Sequence, residues 1–267
     1  MPTTLELEEH LVALTAAAER LGELAATAGL SAAVPTCPAW DVRALVAHQA
    51  MVHRWATAHV RGDDREGVPN QTEIRASVQD LPPYYADGHR ALVAALREAP
   101  DDLVALRFLN DAPPPRQFWA RRQTHETTIH MVDALAAVLG RVPTAAETSI
   151  DHAVAEDGID ELLRGFFTRG ASKLFDGTEM TVLVAPTDTT RSWLLHVAER
   201  LTVDPDVDGD DGGDGGKHRP ADGADVVLRG TTVATYVGLW NRGDELEQIG
   251  GNDTLERWRR HQRVTWS

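Results

Sequence analysis

The sequence predicts an α+β protein in which an N-terminal helical bundle is followed by a small C-terminal α+β domain. Two observations carry this. Residues 1–171 can be read as successive helices without any strand, and after Gly170 the chain shifts to short, partly β-branched apolar runs separated by turn residues. The length, 267 residues with 42% apolar, suits one or two domains with real cores. The expected boundary falls between 171 and 172.

The first helix is LELEEHLVALTAAAERLGEL, where Leu5, Leu11, Leu14, Ala18, Leu21 and Leu24 recur at helical spacing and Gly29 ends the run. After the turn-like PTCPAW, Asp41 is a natural N-cap for a second helix marked by Val42, Leu45, Val46, Met51, Val52 and Trp55. Arg61 to Asp80 is polar, contains Gly and Pro, and reads as a long loop. A third helix is expected from about Tyr84 to Glu98. A fourth runs from the prolines Pro113 to Pro115 to a C-cap at Gly140. A fifth, carrying Ile159, Leu162, Leu163, Phe166 and Phe167, covers about Ile150 to Arg169. Beyond it, MTVLVAP and SWLLHVAERLTV read as a hairpin, DVVLRG as a strand, TTVATYVGLWNR as a short helix, and DELEQIGG with DTLERWRRHQR as a final strand and helix.

Charge and cysteine count remove several classes of function. Twenty-six Lys and Arg against 41 Asp and Glu leave a net charge of −15, contrary to the basic surface that nucleic acid or an anionic membrane requires. A single cysteine, Cys37, excludes an intramolecular disulfide framework and a cysteine-rich zinc module. With no signal-like start in MPTTLELEEH and no apolar run near the ~18 residues of a membrane span, a cytoplasmic protein is expected. Glycine-rich nucleotide loops and a serine-hydrolase elbow are missing from the sequence.

The residues that suggest chemistry lie in HETTIH, on the expected fourth helix. Glu126 and His130 are four positions apart, about 400° of helical turn, so they lie one above the other and can grip one metal ion. His125 is about 140° from His130 and is the weaker ligand. Arg122 and Asp133 share the face of Glu126 and His130 as supporting partners. A third ligand must come from another helix, and the second offers His48, His53 and His59. His48 lies with Leu45, Val52 and Trp55 on the inward stripe, whereas His53 lies among Gln49 and Arg54, so His48 is preferred. A His2Glu set leaves a coordination position open, as in catalytic zinc sites. The plainer alternative is an Arg122–Glu126 surface ion pair with histidines that merely pack.

Other features carry less. Cys37, with no basic neighbour in sequence, reads as an inert thiol. Asp204, Asp206, Asp208 and Gly209 match the start of a calcium loop, but Gly215 stands where its bidentate glutamate should be, so the segment reads as an acidic loop. His10, His89, His152, His196, His218 and His261 lack partner spacing and read as structural or solvent-exposed.

Taken together, PTCPAWDVRALVAHQAMVHRWA, RRQTHETTIHMVDA and the tail segments VVLRGTTVATYVGLWNRGDELEQIGG and LERW resemble the mycothiol-dependent maleylpyruvate isomerase family. That family is a branch of the DinB-like helical-bundle superfamily with a sterol-carrier-like C-terminal domain. The resemblance runs from about Leu5 to Trp258 and implies that His48, Glu126 and His130 are zinc ligands, or ligands of another divalent metal. It also implies that mycothiol binds the metal as thiolate and adds to the cis double bond of maleylpyruvate; rotation and elimination then yield fumarylpyruvate. Arg242 and Arg122 are the side chains expected to hold substrate carboxylates. Related members serve as thiol S-transferases, so the expectation is a zinc- and thiol-dependent isomerase or transferase acting on small molecules. The alternative is a non-catalytic small-molecule-binding protein on the same fold. The family's Leu-Trp-Gly-Arg is here Leu239-Trp240-Asn241-Arg242, and the acidic loop is longer than the family's.

Overall fold

The computed structural model describes residues 5–64, 66–204, 223–251 and 253–262. Its contacts divide the chain into two units. The first comprises residues up to 108 with 112–143 and 147–150; the second comprises 151 onward with 109–111 and 144–146.

In the first unit α1 (Leu7–Ala28), α2 (Val42–Arg61), α4 (Leu81–Glu98) and α5 (Pro115–Leu139) form the bundle, with α3 (Gln71–Ser77) against α2. α1 packs on α5 and α4, and α2 packs on α4 and α5, so the order around the bundle is α1, α4, α2, α5. The helix ends follow local chemistry. Asp41 accepts from the Ala44 amide at 2.8 Å to start α2, and Gly62 (φ 73°) and Gly140 (φ 68°) close α2 and α5 in the left-handed region open to glycine. Leu11, Leu14, Leu21, Leu45, Leu92 and Leu96 are fully buried and fill the interior.

α5 departs from the amphipathic pattern. It is buried on all faces from Phe118 to Ala136, although that stretch includes Arg121, Arg122, Gln123, Thr124, His125, Glu126 and His130. Burying polar groups is costly unless they are bonded. Thr124 accordingly donates to the His10 carbonyl at 2.9 Å, and the His53 ring bonds the Thr127 hydroxyl at 3.0 Å. Local departures of this kind mark functional sites more often than scaffold.

α6 (Ala145–Thr148) is a single turn. The second unit then runs through α7 (His152–Asp160), which continues as a π-helical turn at Glu161–Phe166. Strands β1 (Met180–Val184), β2 (Trp193–Val197), β3 (Leu201–Val203), β4 (Val226–Arg229) and β5 (Glu247–Gly250) form one sheet in the order β3-β2-β1-β4-β5. Only the β1–β4 pairing is parallel, with Val182 opposite Val226. α8 (Thr232–Leu239) packs on α7, and α9 (Thr254–His261) brings Trp258 inside, where its indole donates to the Leu239 carbonyl at 2.9 Å. This is the α+β organisation expected.

Several elements differ from expectation. The stretch read as a loop from Arg61 to Asp80 contains α3, whose signal is the capping box of Asn70 and Glu73. SWLLHVAERLTV is two strands, β2 and β3, paired antiparallel. The helix expected from Ile150 groups by its contacts with the second unit, whose main segment begins at Asp151. Its helical period is local, whereas the face it buries is set by α8. Asn241 sits at φ 59°, with its amide bonded to Gly238 and that of Arg242 to Val237. This is a Schellman turn, whose left-handed position suits glycine and tolerates asparagine. The acidic loop beyond Asp204 and His218 lie outside the described residues.

Candidate metal centre

The seam between α2 and α5 brings His48, Glu126 and His130 together. One ligand atom from each lies within 4.8 Å of the others, and all three side chains are buried. Both imidazoles point Nε2 at the same carboxylate oxygen: His48 at 3.2 Å and His130 at 3.3 Å from Glu126 Oε1. The other oxygen, Oε2, accepts from Arg122 Nη2 at 3.2 Å, so the carboxylate is held from two sides.

Asp133, one turn further along α5, accepts from His130 Nδ1 at 2.8 Å. That bond fixes the ring with Nδ1 toward Asp133 and Nε2 toward the trio, as outer carboxylates do for metal-bound histidines. Asp133 is itself held by the PTCPAW loop. Thr36 donates to its Oδ1 at 2.6 Å, and the Cys37 thiol approaches Oδ2 at 3.5 Å. The loop is closed by the Val34 amide on the Trp40 carbonyl at 3.1 Å, and the Trp40 ring lies 4.9 Å from His48 and 5.7 Å from His130 between centroids. A wall on one side of the trio is therefore aromatic.

The charges agree with this geometry. For Glu126 burial favours the neutral acid, but hydrogen bonds from His130 and His48 and the charge of Arg122 outweigh it, and the carboxyl titrates well below its usual range. For His130 burial opposes the charged form, yet Asp133 and Glu126 prevail and raise it to about 9. His48 is shifted down, first by burial. His130 thus carries its charge between two carboxylates, one of which, Glu126, also faces the Arg122 guanidinium. Two imidazole nitrogens and one carboxylate oxygen on a common point are the donor set of an open zinc site, and the residues present fit such an ion.

Other sequence-predicted residues fall elsewhere. His125 meets the His10 ring edge-on at 6.2 Å, away from the trio. His53, read as lying on a polar face, is fully buried against Thr127, Tyr85 and His89, because α2 is covered on almost every side. His59 stacks on Trp119 at 4.9 Å. Arg122 is fully buried on Glu126, the supporting position that its shared helix face predicts. Arg242 belongs to the second unit, where its Nη1 donates to the Trp240 carbonyl at 3.0 Å. Cys37, read as an inert thiol, lies against Asp133. Nothing in its sequence neighbourhood signals this, since Asp133 is 96 residues away.

Fold and site together define a helical-bundle protein with a buried two-histidine, one-glutamate centre. Residues 11–135 match the family described as Mycothiol maleylpyruvate isomerase N-terminal domain. Two solved structures share the fold over most of the chain. Crystal structures of the mycothiol-dependent maleylpyruvate isomerase and of a histidine-to-alanine mutant of it superpose with TM-score 0.60 in each case. They are 16% and 15% identical, respectively, and cover 93% of this chain and 95% of theirs. No curated protein matches the sequence.

Proposed function

We propose that this protein is a metal-dependent enzyme that uses a low-molecular-weight thiol, mycothiol, to isomerise maleylpyruvate-like substrates or to transfer the thiol to electrophiles. The observation that carries the proposal is the convergence of His48, Glu126 and His130 in one buried centre. Its domain family and the fold it shares with the isomerase support the choice of thiol and substrate class.

When bound, zinc would favour the thiolate form of a thiol by stabilising its negative charge. The chain supplies the rest. Asp133 keeps the His130 ring fixed; Arg122 keeps Glu126 ionised; Trp40 shields one side of the centre from water. Arg242 is assigned to a substrate carboxylate, for which a guanidinium offers two parallel donors. Among the described residues no helix is long and apolar enough to cross a membrane. We place the reaction in the cytoplasm, where a reducing environment preserves a thiol cosubstrate.

The test is elemental analysis of the untagged protein beside His48→Ala, Glu126→Ala and His130→Ala, followed by assay with mycothiol and maleylpyruvate. About one zinc per chain, lost in each variant, with turnover that requires the thiol, is the expected result. Metal retained at full stoichiometry in all three variants would refute the ligand set. Metal without turnover would favour the non-catalytic binding protein.

A further inference from the structure

The two imidazoles of the centre are held in different ways. His130 Nδ1 is bonded to Asp133 at 2.8 Å, so that ring is gripped at both nitrogens. His48 is bonded only through Nε2, to Glu126 at 3.2 Å, and its Nδ1 bonds no protein group among the described residues. The outer torsion of a histidine is broad, so a ring with one bond keeps a freedom that a metal ligand has to give up. What lies against the His48 ring is aromatic: Trp40 at 4.9 Å and 44° between planes, and His130 edge-on at 4.9 Å. We infer that Trp40 is a positioning residue of the metal centre, which sets the His48 imidazole by packing as Asp133 sets His130 by a hydrogen bond. The inference rests on the metal-site reading proposed above and adds a residue to it.

Trp40 is itself fixed for this part. Its amide donates to the Cys37 carbonyl at 2.8 Å and its carbonyl accepts from the Val34 amide at 3.1 Å. The next residue, Asp41, pairs with Ala33 and caps α2, the helix that carries His48. All the Trp40 bonds are made by backbone, so a substitution of the side chain leaves the loop closed. The indole also lies nearly parallel to the His130 ring, at 5.7 Å and 27°. Among the described residues these two imidazoles are the only rings it meets. Trp40 is half-buried and stands outside the sealed bundle interior, whereas the ligands behind it are buried. Its flat face is therefore spent on the two ligating rings, in the offset and tilted arrangements that aromatic pairs favour. A site whose ligands are locked by their surroundings holds its ion in one geometry, and Trp40 supplies that lock where no hydrogen bond does.

The test uses metal alone, without thiol or substrate. Zinc affinity of the full-length protein is measured by competition with a chelator, and the visible spectrum is recorded after loading with cobalt. Trp40→Leu should bind zinc about 10- to 100-fold more weakly, the usual effect of losing an outer partner. Its cobalt bands should change in position and intensity, because they follow the arrangement of the ligands. Trp40→Phe, which keeps a flat ring, should restore most of the affinity and the wild-type bands. The metal-free melting temperature should be the same in all of them, and Trp40→Met serves as a second non-aromatic variant. Wild-type affinity in Trp40→Leu would overturn the inference, as would weaker binding with unchanged bands, which would make Trp40 a shield only. A Trp40→Phe that behaves like Trp40→Leu would overturn it too, as would loss of the metal-free fold in both non-aromatic variants. If the wild type binds neither zinc nor cobalt, the metal-centre reading itself fails and this inference falls with it.

Discussion

At Asp133 a single buried carboxylate receives His130, Thr36 and Cys37, and so ties the loop before α2 to a ligand on α5. Removing such an outer partner usually costs about 10- to 100-fold in metal affinity. Asp133→Asn should show a loss of that size in competition with a chelator, with the helical circular dichroism unchanged. His53 makes a different prediction. It is pushed from 6.5 down to about 3, first by burial, then by the charges of His89 and Arg54. The unfolded chain therefore binds a proton there that the folded chain refuses between about pH 6.5 and pH 3. The sign follows: this contribution to stability is complete above about pH 6.5 and is lost as the pH falls toward 3. In urea melts across that window, His53→Gln should flatten the dependence of stability on pH by about one proton, ~1.4 kcal/mol per pH unit. An unchanged slope would mean that His53 is not held neutral.

The helices owe their limits to individual end residues, and those can be tested one at a time. Asp41 caps α2 and also accepts Arg75 from α3 at 2.6 Å. Asp41→Ala should lower stability by ~1 kcal/mol, the usual worth of an N-cap, in chemical denaturation. Asn241 holds the left-handed position after α8, and its side chain donates to the Gln262 carbonyl at 2.9 Å. Alanine there should be about 1 kcal/mol less stable than glycine at the same position, because only the Cβ is penalised by that backbone. α3 shows where pattern reading falls short. Seven residues with one buried apolar side chain, Ile74, have too little periodicity to stand out, yet the Asn70 and Glu73 capping pair was legible in the sequence.

For the molecule as a whole, charge is the property with the widest reach. A net charge of −15 repels polyanions on balance, so the full-length protein should pass through a heparin column at low salt, where basic nucleic-acid binders are retained. Retention would reveal a basic surface hidden by the overall balance.

The main helices, the Asp41 and Gly140 caps and the pairing of Glu126 with His130 were all legible along the chain. All of these rest on spacing along one helix, where 3.6 residues per turn decides which side chains meet. The sequence also ranked His48 above His53 and His59 by the apolar stripe it shares with Leu45 and Val52. Long-range packing sets the rest: the register of α2 against α5 that brings His48 to Glu126, the approach of Thr36 and Cys37 to Asp133, the burial of His53, and the packing of α7 on α8 in the second unit. These contacts join residues far apart in the chain. Their geometry depends on how whole helices pack, which no local period encodes.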